Sequence, residues 1–310
     1  MRRFIRYCLL FIVPCYLLLT VADFLFSRVA KHSGNQSIES WNEILDGGID
    51  ADVLVVGSSR VTEHVNPLVL DSILTANTYV LGMDGRAIYS QIKKYHVYRE
   101  FNTKPKLIIQ NVDVFSMIKR LGVNKAQFFP FFWNESIRNT FFPEEPFTVW
   151  EKYLPMYRYL NINYRSDMPG IRAFLPDGNK KLTKGYRGLN KPWDGSALAA
   201  VDSIPFLVDS ACVQAFKDYL TEVKADGIQM VFVFCPLYAG ATQKMTCLKE
   251  VHNFYYSIAH DYSIPVLDYT TMLICSDSTY FYNAMHLNKR GSIMFSDSLA
   301  NDIKKLDVLK

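Results

Sequence analysis

Val53-Leu54-Val55-Val56 is a continuous apolar run that ends on Gly57-Ser58-Ser59-Arg60. Such a run has no polar face to offer water, so as a strand it must be covered on both sides, as in a parallel sheet flanked by helices. The rest of the chain keeps that rhythm. Asn66-Pro67 offers an N-cap with proline at the first helical position, opening a short helix toward Leu74. Thr78–Leu81 reads as a second strand, followed by Gly82-Met83-Asp84-Gly85 and a helix from about Ala87 to Phe101, and Lys106–Val112 as a third strand. A helix over about Val208 to Ala225 feeds the apolar strand Met230–Cys235. A further helix from about Thr242 to His260 precedes a short strand at Pro265–Leu267, and a last helix covers about Lys289 to Ile303. The alternation predicts an α/β domain with a central parallel sheet and a ligand site at the carboxyl ends of its strands.

Two segments stand outside that pattern. Arg2, Arg3 and Arg6 precede an apolar stretch from Tyr7 to Phe26, broken only by Asp23 and long enough for a bilayer-spanning helix of roughly 20 residues. The arginines favour the cytoplasmic side, which places everything after about Ser27 outside. A signal peptide cleaved near Thr20-Val21-Ala22 is the competing reading, and both export the same globular part. The expected organisation is residues 1–28 as cytoplasmic tip and transmembrane anchor, 29–51 as a polar stalk, and 52–310 as the globular domain. Within that domain, about 116–205 is an aromatic-rich insert (Phe128, Phe129, Phe131, Phe132, Trp133, Phe141, Phe142, Trp150) expected to form a mostly helical cap over the strand ends. Lys184-Gly185-Tyr186-Arg187-Gly188, with Trp193 beyond, suits a glycan- or phosphate-facing loop or a simple exposed turn.

With 310 residues and 49% apolar content the chain can bury one substantial core. Three of its excess positive charges lie in the first six residues of a chain whose net charge is +4. The remainder is close to neutral and gives no footprint for nucleic acid. Of the six cysteines, Cys8 and Cys15 lie in the anchor. The other four show no metal-type spacing; a Cys247–Cys275 bridge is conceivable, and Cys235 is expected in the core. His252 and His260 fall on one expected helix without a metal-ligand partner, and His32 and His96 read as surface positions. The sequence calls for no metal and no cofactor.

The chemistry is concentrated at the two ends of the βα pattern. Ser59 follows a buried strand, where a hydroxyl and a neighbouring amide can serve as nucleophile and oxyanion donor; Ser58 or Ser59 as a helix N-cap is the plain alternative. Asn283-Ala284-Met285-His286-Leu287-Asn288, followed by Gly291, Phe295 and Ser296, resembles the last block of the SGNH/GDSL hydrolase superfamily, usually DxxHLNxxG. Gly57-Ser58-Ser59 resembles its first block, with the nucleophile mapping onto Ser59. Gly82-Met83-Asp84-Gly85 is similar to the second block, whose later glycine lends an oxyanion-hole amide, here Gly85. The resemblance covers about residues 52 to 113 and 208 to 305. It implies a three-layer, flavodoxin-like fold with Ser59 as nucleophile, His286 as general base and the Ser59 and Gly85 amides as oxyanion donors. The short GSS form and the single N-terminal span also look like the membrane-anchored proteins that modify envelope polymers, such as alginate O-acetylation proteins and the teichoic-acid D-alanyl transfer protein.

Two positions depart from the family pattern. Asn283 stands where the family has its aspartate, and an amide can hold geometry yet favours the wrong imidazole tautomer, a swap that in another serine hydrolase lowers turnover by roughly 10⁴-fold. Asp277, Asp268 or a backbone carbonyl are the candidate substitutes. The third block, normally Gly-x-Asn-Asp with an oxyanion-donating Asn, is not clearly present; Asn111 in Gln110-Asn111-Val112-Asp113 is its candidate. Arg60 is a candidate for binding a substrate carboxylate or phosphate, with a salt bridge as the plainer role. His64 can compete as a base or order its loop. The expectation is a membrane-anchored, extracytoplasmic serine esterase or O-acyltransferase acting on an acylated polysaccharide or glycan, with acyl-transfer proteins of the envelope as potential partners. The alternative is an impaired domain of the same fold used to bind or scaffold glycan.

Overall fold

The computed structural model describes residues 1–118, 123, 125–143, 147–160, 182–196, 198 and 204–309. Along the chain, α1 (Arg2–Lys31) and α2 (Gln36–Asp46) precede β1 (Val53–Gly57), α3 (Ser59–His64), α4 (Pro67–Leu74), β2 (Thr78–Gly82), α5 (Ile88–Phe101) and β3 (Leu107–Asn111). The insert carries a 3₁₀ segment at Lys125–Phe131 and three short helices, α6 (Glu135–Phe141), α7 (Val149–Tyr153) and α8 (Tyr157–Leu160). Then come α9 (Ser210–Ala225), β4 (Gln229–Phe234), α10 (Ala239–Thr242), α11 (Leu248–Tyr262), β5 (Val266–Asp268), the small pair β6 (Phe281–Asn283) and β7 (His286–Leu287), and α12 (Lys289–Leu306).

The chain divides into two units, Met1–Asn42 with Val123–Lys181, and Glu43–Gly122 with Leu182–Lys310. The second is α/β. Its five-stranded sheet has the order β2-β1-β3-β4-β5 and every pairing is parallel. All five residues of β1 and of β3 are buried, the consequence of helices on both faces. Each fully buried Val, Leu or Ile there contributes about 1.5–3 kcal/mol. Gly57 ends β1 where a Cβ would meet the Asn111 Cβ at 2.8 Å, so a side chain would force β1 away from β3.

The Asn288-x-x-Gly291 spacing has a local cause. Asn288 caps α12, its Oδ1 accepting from the Gly291 amide at 3.1 Å, while its Nδ2 donates to the Thr279 carbonyl at 2.8 Å. Gly291 lies so near the Tyr280 backbone that a Cβ would stand 2.2 Å from that carbonyl oxygen. Ser296 is fully buried on α12, and its Oγ accepts from the Asn66 amide at 2.7 Å, tying the start of α4 to the last helix.

Several expectations are corrected. The segment expected as a polar stalk is largely helical, with α1 continuing to Lys31 and α2 following. Lys184–Arg187 is not an exposed recognition loop. Thr183 and Tyr186 bridge across a two-residue turn, and the Val80 amide donates to the Lys184 carbonyl at 2.9 Å, so the turn covers the free edge of β2. Tyr186 is buried in the core, and its hydroxyl accepts from Ser292 Oγ at 2.9 Å. Cys247 and Cys275 are both free, so no bridge joins them.

In the first unit, α1 is long and apolar enough to cross a membrane, with a mean hydropathy of 2.3 over its most apolar stretch. Asp23 is buried there and paired with Arg158 of α8. The insert aromatics pack among themselves and on Trp41, whose ring lies 5.2 Å from Phe128 and 5.4 Å from Phe141. Part of the segment expected as the cap, including 161–181, lies outside the described residues.

Candidate functional site

Ser58 N-caps α3, its Oγ accepting from the Arg60 amide, and thereby hands the next residue to the first turn of the helix. Ser59 therefore projects from the end of β1, with a backbone amide that has no intrahelical acceptor. β6 and β7 fold back as an antiparallel pair with Asn283 opposite His286. That pairing delivers the ring: Ser59 Oγ and His286 Nε2 are 2.9 Å apart across 227 residues of sequence.

The other face of the imidazole settles the tautomer. His286 Nδ1 is 3.1 Å from Asn283 Oδ1, and the same oxygen accepts from the Met285 backbone amide at 2.9 Å. A backbone N–H can only donate, so the amide is held with oxygen inward. Nδ1 then carries the proton and Nε2 keeps its lone pair for the Ser59 hydroxyl. The expected penalty of an amide at this position was a wrong tautomer, and the Met285 amide removes it. What Asn283 lacks is the negative charge that would stabilise an imidazolium.

Burial first, then the nearby Arg60 guanidinium, depress the His286 pKa to about 4, so the ring is neutral at pH 7. The phenol ring of Tyr282 stacks on it, with centroids 5.5 Å apart and planes within 6°. Tyr282 donates its hydroxyl to Glu63, and Glu63 pairs with Arg187, which also reaches Asp84 at 2.9 Å. Burial raises the Glu63 pKa against the pull of Arg187 and Tyr282. This Tyr282–Glu63–Arg187–Asp84 chain was not anticipated from the sequence. The available signal was the position of Glu63 four residues after Ser59, on the same face of α3.

The remaining candidates divide. Gly85 has φ +62, and among the described residues its amide has no acceptor. Its loop is hung from the end of β1 by the Met83 amide, which donates to the Gly57 carbonyl at 2.9 Å. Asn111 is buried with its Nδ2 spent on the Val233 carbonyl at 3.2 Å and close to Cys235 Sγ at 3.4 Å. A donor committed to the sheet cannot serve an oxyanion, so Asn111 is withdrawn from that role. Asp277 caps the turn at Ser278–Tyr280 through the Thr279 amide, and Asp268 accepts from Thr270 and faces His252 at 3.6 Å. Neither carboxylate contacts His286. Arg60 is buried, pairs with Asp113 at 3.4 Å and lies over Phe115, so it is an internal charge and not a substrate ligand. His64 is wholly buried and its Nε2 accepts from the Leu287 amide at 3.1 Å, fixing the backbone beside His286. It orders the strand and does not compete as a base.

Beyond His286, Trp193 and Tyr238 pack ring to ring at 4.7 Å, and Lys191 lies over the Tyr282 ring. The Asp194 amide donates to the Tyr282 carbonyl at 3.0 Å and the Tyr238 amide to the Ala284 carbonyl at 3.4 Å, which sets Trp193 and Tyr238 beside the strand pair that carries His286.

The chain matches no protein-family profile and no curated protein. Among solved structures it is similar to a protein assigned to the G-D-S-L lipolytic family from Desulfitobacterium hafniense DCB-2, at 14% identity and TM-score 0.39 over 80% of this chain and 97% of that one. A proposed acylhydrolase from Bacteroides fragilis NCTC 9343 aligns at 10% identity and TM-score 0.41, over 83% of this chain and 88% of that one. The inhibitor-bound aryl esterase of M. smegmatis aligns at 13% identity and TM-score 0.36, over 82% and 98% of the two chains. These overlaps are loose, and the case for chemistry rests on the side chains described above.

Proposed function

We propose that the chain is a serine-dependent ester hydrolase or O-acyltransferase, anchored by α1 and acting outside the cytoplasm on acyl esters of a cell-envelope glycan. The observation that carries this reading is the 2.9 Å contact between Ser59 Oγ and a neutral His286 whose tautomer is fixed. Ser59 Oγ attacks the acyl carbonyl carbon as its proton passes to His286 Nε2. The negative oxygen so formed is met by the Ser59 and Gly85 amides, each such donor being worth about 10²–10³ in rate. The bond to the leaving alkoxide then breaks as His286 returns the proton, leaving an acyl-Ser59 ester. Water or a sugar hydroxyl takes the acyl group by the same route in reverse. Trp193 and Tyr238, half-buried beside the strand pair that carries His286, support a sugar as the group placed beside the ester, since pyranose faces stack on such rings. Arg2, Arg3 and Arg6, in the first turns of α1, support the outward orientation. The direct test offers the purified full-length protein acetylated xylan or another O-acetylated polysaccharide, with and without a free oligosaccharide acceptor. Acetate release or acetyl transfer is expected, and neither should occur with Ser59→Ala.

The depressed histidine pKa fixes the acid limb. Activity needs neutral His286, so kcat/KM should stay level from pH 7 to about 5 and fall by half near pH 4, well below the usual imidazole range. Stability runs with the same sign. Below about pH 6.5 the unfolded chain takes up protons at both histidines. Folded His286 does so only near pH 4, and burial holds His64 well below the usual imidazole range too, so stability falls as pH drops through that window. Initial rates after brief acid exposure separate the two effects; a half-loss near pH 6.5 would contradict the assigned environment of His286.

Asn283 motivates a second reading, in which an impaired site only binds glycan, and Asn283→Asp discriminates. The tautomer is already correct, so the added charge is expected to raise the His286 pKa and increase kcat/KM about 10- to 100-fold, well short of the roughly 10⁴-fold tautomer penalty. No esterase activity in either form, with glycan binding intact, would favour the scaffold.

A further inference from the structure

Asn283 orients His286 without supplying charge, so an imidazolium formed there has no carboxylate at its Nδ1 edge. A carboxylate reaches the face of the ring instead. The Tyr282 ring lies parallel to the imidazole, with centroids 5.5 Å apart and planes within 6°. Its hydroxyl donates to Glu63 Oε2, while Glu63 Oε1 accepts from Arg187. α3 carries both Ser59 and Glu63, and β6 carries both Tyr282 and Asn283. The line from carboxylate to phenol to imidazole is therefore fixed by the same two elements that bring the serine to the histidine.

Glu63 is only 3% exposed, and a carboxylate is tolerated at such a site only where strong donors meet it. Arg187 does not neutralise it outright, because the same guanidinium also reaches Asp84 at 2.9 Å. Burial and the neighbouring carboxylate push the Tyr282 phenol up, so it keeps its proton and donates. A hydroxyl bonded to a carboxylate feeds electron density into its ring. The face of such a ring attracts a cation within about 6 Å. The other charges near His286 are Arg60 of α3 and Arg187, which oppose an imidazolium, and Asp84, which favours it. His64 stands perpendicular to the imidazole at 6.0 Å, held neutral by burial. Lys191 lies over the Tyr282 ring at 5.7 Å, on an exposed side chain that water screens.

We infer that Tyr282 and Glu63 are positioning residues that stabilise the His286 imidazolium through the face of its ring, in place of the carboxylate that Asn283 does not provide. The inference rests on the Ser59–His286 chemistry proposed above. When Nε2 takes the Ser59 proton, the ring is positive between Asn283 Oδ1 and the Tyr282 face. When the proton passes on to the leaving alkoxide, the ring is neutral again. No bond to Tyr282 or Glu63 forms or breaks.

The test reads the charge on His286 directly. Full-length protein with ¹³Cε1-labelled histidine is titrated by NMR in detergent micelles. The Asn283→Asp background is used, where the added carboxylate lifts the His286 titration above about 4. The His286 signal is the one lost in His286→Gln. Glu63→Gln and Tyr282→Phe are each expected to lower that pKa by about 0.5–1 pH unit. Combined, they should lower it little further, since the carboxylate acts through the phenol. With Asn283 in place, each single variant should lower kcat and kcat/KM together by about 3- to 10-fold and leave KM unchanged. A His286 pKa unmoved by Tyr282→Phe, or a full Glu63→Gln shift in the presence of Tyr282→Phe, would overturn the inference. Should Glu63→Gln fail to fold, Tyr282→Phe decides alone, since it removes one hydroxyl and keeps the stacked ring. Lowered pKa values in a protein without esterase activity would refute the catalytic proposal and leave the electrostatic one standing.

Discussion

Ser59→Ala is expected to lower acetyl-ester turnover by about 10³- to 10⁶-fold while leaving thermal unfolding within about 0.5 kcal/mol of the parent. The two effects separate because, among the described residues, the Ser59 hydroxyl bonds His286 alone, whereas the cap that starts α3 is Ser58. Removing Oγ deletes the attacking atom but no cap and no core contact. His286→Ala should cost nearly as much activity, and the double variant little more, since the pair acts as one unit. Turnover retained by the alanine variant, at unchanged stability, would remove Ser59 from the reaction.

The largest stability effect is expected far from that chemistry, at Gly185→Ala. Gly185 has φ +80 in the turn between Thr183 and Tyr186, and a Cβ there would stand 1.9 Å from the Val80 carbonyl oxygen. The left-handed backbone costs an L-residue about 1–2 kcal/mol, and displacing β2 backbone adds about 1–3 kcal/mol more. A loss of roughly 2–5 kcal/mol corresponds to a fall in Tm of about 5–15 °C for a domain of this size. Gly85→Ala is the control. Its φ is also positive, at +62, but a Cβ would meet nothing within 4 Å. It should lose only the backbone term and show its effect in turnover, through the oxyanion amide. Thermal melts of the two variants side by side check the comparison; equal melting would place the strain elsewhere.

The strands were legible because each is a dense apolar run with no amphipathic alternative. Val53–Val56 and Thr78–Leu81 fall one residue short of β1 and β2 at the end, and Met230–Cys235 is β4 displaced by one residue. The Asn66-Pro67 start of α4 was equally plain, since both residues have a local reason to be there. Ser59 and His286 were found because short local patterns mark each of them, although their meeting is a property of the whole fold.

What escaped the sequence depends on partners brought from elsewhere. The amide orientation of Asn283 is decided by the Met285 backbone, which no residue-type rule announces. Asn111 has the right residue type at the end of the right strand, but its donors are turned toward Val233 and Cys235. Arg60 follows the serine directly, and its pairing with Asp113 could be guessed only as one option among several. Lys184–Arg187 looks like any polar turn until the free edge of β2 is known to need covering. Tyr282 and Glu63 join through a hydrogen bond spanning 219 residues, and neither belongs to a recognisable pattern.

The most direct measurement is the site of covalent capture. Full-length protein treated with a fluorophosphonate and digested should carry the phosphonyl mass on Ser59, located by tandem mass spectrometry, and His286→Ala should abolish it. An adduct on Ser58, on a serine outside this turn, or undiminished in the histidine variant would contradict a Ser59–His286 nucleophile.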